Sequence, residues 1–262
     1  MYDFHKDKER YFKIQKEVTE EYIIPFLSDF FNIGKPQTVL EIGSAEAGVL
    51  KAFTDKGHNC VGIELSSNRV ETAKTLMAKE LEEKKVRFFS RNIYDINPEE
   101  ELEFKFDLII LKDVIEHIHD QEKFISILKN FLKKNGKVFF AFPPWQMPFG
   151  GHQQVAANKL ISTSPYIHLL PMFLYKFVLK IFGETDAKIE SLTEIKETGI
   201  SIERFEKIIK NSKYNIVKKK FYLFNPIYKW KFDIKPREQF SFISSIPYIR
   251  NFFTFGVYYI IE

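Results

Sequence analysis

The sequence predicts an α/β fold built on a doubly wound, largely parallel sheet. Short apolar runs alternate with amphipathic helical patterns, from TVLEI (38–42) to KVFFAF (137–142). Runs that are apolar at every position are typical of parallel strands buried on both faces, and right-handed crossovers place helices on both sides of such a sheet. Two β-rich segments, 214–224 and 251–262, are predicted to form an antiparallel pair.

Changes in this pattern divide the chain into four parts. Residues 1–35 are a helical segment, 36–145 are the α/β core, 146–200 are an inserted lid, and 201–262 are a helix and strand pair that complete the core. The lid is inferred because Pro, Gly, His and aromatic residues interrupt the alternation there.

Three helices are predicted in some detail. A charged amphipathic helix covers residues 4–31, a second covers 66–85 with Ser66 or Ser67 as its N-cap, and a third runs from residue 121 to Gly136.

Composition narrows the class of protein. A net charge of +4 is too small to indicate a nucleic-acid partner by itself. Cys60 is the single cysteine, so no internal disulfide forms and a reducing, cytoplasmic location is predicted. The most hydrophobic stretch, 165–183, contains two prolines, two lysines and a histidine, which argues against a membrane span.

The turn after the first predicted strand fits two kinds of ligand. Gly43, Ala45 and Gly48 match the dinucleotide pattern G-x-G-x-x-G with alanine in the middle, and Glu64 follows about 20 residues later, where a ribose-binding acid is expected. Alanine places a methyl group where a pyrophosphate approaches, and the Glu41 carboxylate repels phosphate. Glu41 instead suits the ammonium and sulfonium of S-adenosylmethionine. A turn without any ligand is the third possibility.

Five motifs then occur in a familiar order: VLEIGSAEAG, CVGIELS, RNIYDI, FDLIILKDVIEHI and GKVFFAFPP. Together they resemble the successive motifs of the class I S-adenosylmethionine-dependent methyltransferases over residues 36–145, and more loosely over 195–262. The resemblance implies a Rossmann-like sheet of seven strands closed by an antiparallel pair. The sequence departs from the family pattern E/D-x-G-x-G-x-G at Ala45 and Ala47, which replace two glycines.

The resemblance also implies roles for individual residues. Those expected to bind the cofactor are Glu41, Gly43, Ser44 and Ala45 at its methionine end, Glu64 at the ribose hydroxyls, Leu65, Asn92 and Ile93 at the adenine, and Lys112 and Asp113 near the transferred methyl group. Two plainer interpretations stay open: Asn92 caps a turn, and Leu65 belongs to the core.

The stretch after the fourth predicted strand carries a second candidate site. Asp113, Glu116 and His117 are spaced i, i+3, i+4, which places them on one face of a helix, and His152 follows the neighbouring strand. The set resembles the E-x-x-E-H metal site of small-RNA 3′-end 2′-O-methyltransferases and ubiquinone-pathway O-methyltransferases. A divalent metal there lowers the pKa of an acceptor hydroxyl. Two alternatives stay open: Glu116 and His117 cap a helix, or a histidine acts as general base without metal.

The predicted function is methyl transfer from S-adenosylmethionine to a small acceptor, at oxygen, with His152 and His117 as the catalytic candidates. A lid rich in Phe, Leu and Tyr favours an apolar or lipid-linked acceptor. Alternatives are an NAD(P)-dependent oxidoreductase and a non-catalytic cofactor-binding domain. Basic and aromatic residues also alternate over 217–237, which is typical both of single-stranded nucleic-acid binding and of an exposed strand in a lysine-rich chain. We favour the exposed strand.

Overall fold

The structure, a computed structural model, describes residues 7–262 and confirms the α/β prediction. One sheet has the strand order β3-β2-β1-β4-β5-β8-β6-β7; β1 to β5 are parallel, and β8, β6 and β7 are antiparallel to their neighbours. The strands are β1 Thr38–Ile42, β2 Asn59–Glu64, β3 Val86–Ser90, β4 Phe106–Lys112, β5 Leu132–Phe142, β6 Ile216–Phe224, β7 Arg237–Glu238 and β8 Gly256–Ile261. The described residues thus form eight strands rather than the seven expected, because the two-residue edge strand β7 is too short to leave a sequence pattern.

Helices cover both faces of the sheet. They are α1 Lys8–Val18, α2 Ile24–Leu27, α3 Gly48–Thr54, α4 Ser67–Leu76, α5 Ala78–Glu82, α6 Pro98–Glu101, α7 Gln121–Phe131, α8 Lys159–Thr163, α9 Met172–Ile181, α10 Asp186–Thr198, α11 Ile202–Asn211, α12 Tyr228–Phe232, α13 Ser241–Ser244 and α14 Arg250–Phe253. Alternate residues of each strand face the two layers: Leu40 belongs to one buried apolar cluster and Val39 to the other.

All three detailed helix predictions need correction. A π-helical segment, Thr19–Ile23, separates α1 from α2, and residues 4–6 of the expected helix lie outside the described residues. The second helix follows Ser66 but breaks at Met77, whose side chain is fully buried. The third ends at Phe131, because Leu132 is extended and pairs with Phe106 of β4.

Helix α1 packs against the start of α3. A Cβ added at Gly48 would lie 2.3 Å from the Phe12 carbonyl oxygen, so only glycine allows this approach. The N-terminal segment therefore covers the turn between β1 and α3, which is the turn that the sequence marks as a ligand site.

The segment 146–200 is largely helical and has an apolar cluster of its own, which includes Tyr175, Leu179 and Leu192. A hydrogen bond connects His168 of this segment to the residues just before it, which follow β5. The His168 Nε2–H donates to the Trp145 carbonyl oxygen at 2.8 Å. The other ring nitrogen, Nδ1, is buried and has no partner among the described residues. Protonation would therefore place a second N–H in a site without an acceptor.

This environment predicts acid sensitivity. Burial lowers the pKa of His168 to about 4, against about 6.5 in an unfolded chain. Below pH 6.5 the unfolded state binds the extra proton, so stability falls as the pH drops toward 4. We expect this group alone to remove about 2 kcal/mol from the free energy of unfolding between pH 7 and pH 5.

Urea unfolding at both pH values tests the expectation. His168→Gln should be less stable at pH 7 but should lose about 2 kcal/mol less on acidification. His119→Gln, at an exposed position, should keep the wild-type loss. Equal pH dependence in wild type and His168→Gln would contradict the assignment.

Candidate cofactor and acceptor site

The turn after β1 keeps the shape that a glycine-rich loop adopts. Gly43 has a φ of 73°, and its N–H donates to the Ile63 carbonyl at 2.8 Å. Ala45 and Ala47 have φ of 46° and 66°, the left-handed region that costs a non-glycine residue roughly 1–2 kcal/mol. The two alanines thus occupy backbone conformations that glycine adopts without strain.

Glu64 holds this turn in place. Its Oε2 accepts from the Ala45 N–H at 3.0 Å, and its Oε1 accepts from the Ser66 N–H at 2.9 Å. A carboxylate has about four acceptor positions, so capacity remains for the hydroxyl groups of a ligand. The position expected to bind a ribose therefore also connects the turn to the end of β2.

A cavity of about 150 Å³ lies between the turn and α1. Its walls include Glu41, Ser44, Lys112 and Gln15. Glu41 Oε2, Ser44 Oγ and Gln15 Oε1 are buried without a hydrogen-bond partner in the described residues. Burial raises the pKa of Glu41 well above its usual range, although the Lys112 ammonium opposes the shift. Buried polar atoms without partners are rare, and a polar, cationic ligand in the cavity would satisfy them.

A second cavity, of about 380 Å³, adjoins the first. The two share Tyr11, Glu46, Arg69 and Asp113 as lining residues. The remaining walls of the larger cavity are mostly apolar. They come from α1, from the segments that follow β4, β5 and β6, and from the residue before β8, and they include Pro143, Met147, Phe149, Val155, Ile227 and Phe255. A ligand in the smaller cavity would therefore lie next to one in the larger.

Glu116, His117 and His152 lie close together beside the larger cavity. One ligand atom from each lies within 4.8 Å of the others, and the two imidazole rings are 5.2 Å apart. Glu116 and His152 line the larger cavity. Neither oxygen of the buried Glu116 carboxyl has a hydrogen-bond partner among the described residues, so this side chain does not cap a helix.

Asp113 lies outside this cluster. The predicted helical face is wrong, because the segment forms a short 3-10 turn, Ile115–His117, and Asp113 precedes it with a φ of 56°. Its carboxylate pairs with the Lys112 ammonium. Burial opposes ionisation of Asp113, but the Lys112 charge outweighs it and lowers the pKa of this carboxyl.

Burial determines the direction in which the pKa values of Glu116 and His152 are shifted. Burial raises the pKa of Glu116 well above its usual range, and the Asp113 charge adds to the effect. Burial, assisted by His117, lowers the pKa of His152 to about 4. Near neutral pH the cluster therefore presents the neutral imidazole of His152, which can accept a proton, beside a carboxyl whose burial favours its protonated form.

The residues expected at the adenine lie outside both cavities. Leu65 is 71% exposed beside Glu64, so it is not core. Asn92 is exposed, and its Oδ1 accepts from the Tyr94 N–H at 3.1 Å, as the capping alternative predicted. Ile93 is buried in the core. The residues expected at the methionine end of the cofactor, Glu41 and Gly43 to Ala45, thus line the small cavity, whereas those expected at the adenine do not.

Two cavity residues went unrecognised in the sequence. Lys231, on α12, lies over the Tyr11 ring of α1 with its Nζ 5.4 Å from the ring centroid. Burial lowers the pKa of Lys231 to about 8. The basic and aromatic stretch 217–237 therefore divides between β6 and a wall of the larger cavity. The alternation of basic and aromatic residues was the only feature of the sequence that marked this stretch, and it did not indicate which of the side chains line a cavity.

A doubly wound sheet with an acid-and-glycine turn after β1, and with cavities beyond the carboxyl ends of its strands, defines a Rossmann-like cofactor-binding protein. A family model described as a methyltransferase domain matches residues 14–164, more than half of the chain. The chain therefore belongs to the methyltransferase domain family, which confirms the family that the motifs indicated and decides against the oxidoreductase alternative.

Curated relatives match over shorter stretches. A ubiquinone biosynthesis O-methyltransferase of Rickettsia felis is 28% identical over 116 residues, which are 44% of this chain and 45% of the relative. A norajmaline N-methyltransferase of Rauvolfia serpentina is 34% identical over 95 residues, 35% of this chain and 30% of the relative. The matches thus span less than half the length of these relatives.

Solved structures agree over nearly the whole chain. A S-adenosylmethionine-dependent methyltransferase from Clostridium acetobutylicum has a TM-score of 0.56 at 13% identity, covering 94% of this chain and 91% of that one. The magnesium protoporphyrin IX methyltransferase of Synechocystis PCC 6803, solved with bound S-adenosylhomocysteine (SAH), has a TM-score of 0.56 at 12% identity, covering 100% and 87%. At these identities the similarity establishes the fold.

Proposed function

We propose that the protein binds S-adenosylmethionine at the β1 turn and methylates a hydroxyl group of a small acceptor held in the larger cavity. The observation that carries the proposal is the shared wall of the two cavities, at Tyr11, Glu46, Arg69 and Asp113. Methyl transfer requires donor and acceptor in contact, and holding them so supplies much of the rate enhancement.

The residues around the small cavity fit this cofactor. Glu41 and Ser44 offer buried acceptor atoms that have no hydrogen-bond partner within residues 7–262, and an amino acid ammonium would bind there. When bound, S-adenosylmethionine supplies a methyl group already activated by the positive charge on its sulfur. Glu64 retains acceptor positions for hydroxyl groups, and Leu65, exposed beside it, offers an apolar surface for a base.

His152 is the proposed general base. It lines the acceptor cavity and is neutral near pH 7, so it can take the proton of an acceptor hydroxyl. His117, 5.2 Å away between ring centroids, is the second candidate. The mostly apolar wall of the cavity supports an apolar acceptor, including one attached to a lipid.

Turnover against a panel of acceptors tests the proposal. Purified protein is incubated with S-adenosylmethionine and phenols, carboxylic acids or amines, and SAH is quantified. We expect turnover with at least one hydroxyl compound. Turnover with amines alone would favour nitrogen, the atom in the name of the norajmaline relative. SAH binding without turnover on any class would favour the non-catalytic alternative.

A divalent metal is a second candidate for activating the hydroxyl. Glu116, His117 and His152 would hold it, and a carboxylate with two imidazoles suits a borderline divalent ion. We nevertheless expect turnover to survive EDTA treatment, because His152 is already neutral near pH 7 and can take the acceptor proton without a metal. The metal would replace this account if EDTA abolished turnover, Mn²⁺ restored it, and Glu116→Gln weakened Mn²⁺ binding in a calorimeter.

A further inference from the structure

We propose that the outer face of helix α9 binds the surface of an anionic membrane. This face, defined by Phe173, Lys176, Phe177, Lys180 and Ile181, follows the i, i+3, i+4, i+7, i+8 spacing of one helix side. Its three apolar side chains are 76%, 59% and 63% exposed. The opposite side of α9 is buried in the cluster of the 146–200 segment. The helix is thus held by one face and leaves a second apolar face uncovered.

The charge on this face selects the partner. Lys176 and Lys180 are both exposed, and α9 contains no acidic residue. Glu184, the first acid after the helix, is buried and accepts from the Ala157 and Asn158 N–H groups at 3.1 and 2.8 Å, so its charge points inward. Apolar side chains interleaved with lysines are typical of helices that lie in the interface of anionic bilayers.

Helix α8 carries similar exposed groups near the end of α9. The Asn158 Nδ2 donates to the Phe182 carbonyl oxygen at 3.1 Å, which holds the start of α8 beside the end of α9. Leu160 is 64% exposed there, and Lys159 next to it is exposed too. Two neighbouring helices therefore present the same combination of apolar and cationic groups.

Two other arrangements that would cover the outer face of α9 agree less well with its residues. A symmetric pair of chains would bring Lys176 and Lys180 against their own copies, and like charges at such a contact repel. A membrane-spanning helix needs about 20 residues, whereas α9 has 10. Among residues 7–262, no helix is long and apolar enough to cross a membrane. Attachment at the surface remains the arrangement that uses both the apolar and the charged groups.

The inference does not depend on methyl transfer. Membrane binding is nevertheless relevant to methyl transfer, because the 146–200 segment that contains α9 also supplies Phe149, His152 and Val155 to the acceptor cavity. Binding through α9 would bring that segment to the lipid surface, where an apolar acceptor is concentrated.

Vesicle flotation tests the proposal. We expect the protein to float with phosphatidylcholine vesicles that contain phosphatidylglycerol, and not with pure phosphatidylcholine. Phe173→Ser/Phe177→Ser should lower the partition coefficient at least about tenfold, because two large apolar groups no longer leave water. Lys176→Gln/Lys180→Gln should remove most of the dependence on phosphatidylglycerol and on salt.

A matched control uses another apolar surface. Phe242 and Tyr248 are 66% and 70% exposed on the segment between β7 and β8, and Phe242→Ser/Tyr248→Ser should bind vesicles like the wild type. All four positions changed on α9 are exposed, so thermal unfolding of these variants should match that of the wild type. This measurement separates misfolding from lost binding. The proposal is overturned if the wild type does not float, if only the control variant loses binding, or if the Phe173→Ser/Phe177→Ser change instead abolishes self-association seen by size-exclusion chromatography.

Discussion

His152→Ala is expected to lower methyl-transfer turnover by roughly 10²–10⁴-fold while leaving SAH affinity within about twofold. The imidazole lines the acceptor cavity, and burial lowers its pKa to about 4, so it is ready to accept a proton at pH 7. It does not line the small cavity beside the β1 turn. The change should therefore affect the chemical step and spare cofactor binding, which steady-state kinetics and calorimetry measure separately.

Gln154→Ala is the matched control for this experiment. Gln154 lines the same cavity but has no group that takes up a proton near neutral pH. It should change the acceptor KM more than kcat. Full turnover in both His152→Ala and His117→Ala would contradict a histidine base, whereas loss in His117→Ala alone would move the role to His117.

Gly43→Ala is expected to destabilise the fold and to weaken SAH binding by at least about tenfold. The residue has a φ of 73°, and an added Cβ would lie 2.5 Å from Val114 Cγ2. The left-handed backbone costs alanine roughly 1–2 kcal/mol. The clash also forces the turn to move, and Ser44 and Ala45 would move with it. Urea unfolding and SAH titration should both report the change.

Gly57→Ala separates the two causes. Gly57 has a φ of 84°, but an added Cβ meets nothing within 4 Å. This variant should show the backbone destabilisation of roughly 1–2 kcal/mol with unchanged SAH affinity, because the residue lines neither cavity. Equal loss of affinity in both glycine variants would mean that stability, and not the geometry of the β1 turn, determines cofactor binding.

Local patterns were sufficient for the sheet and for the turn after β1. Strands such as Phe106–Lys112 contain an unbroken apolar run, here LIIL at 108–111. Glu41 and Gly43 stand in a motif whose spacing is set by backbone geometry. What the sequence did not reveal was the conformation of the two alanines. Ala45 and Ala47 take left-handed φ angles because Glu64, the buried strands and α1 fix the turn from outside.

Contacts between distant parts of the chain were beyond sequence reasoning. The Asp113 carboxylate pairs with the adjacent Lys112 ammonium and lies outside the cluster of Glu116, His117 and His152. His152 belongs to the cluster although it follows β5 and the other two residues follow β4. Tyr11 and Lys231 meet over the cavity although 220 residues separate them in the chain. No periodicity or motif encodes such a meeting, since it arises from the packing of α1 and α12 around a completed sheet.

The most direct test of the central claim is calorimetric titration of the purified protein with SAH and, separately, with NADH. We expect SAH binding in the micromolar range and no binding of NADH, because the methyl group of Ala45 opposes the close approach of a pyrophosphate to the β1 turn. NADH binding, or the absence of SAH binding by folded protein, would contradict this expectation.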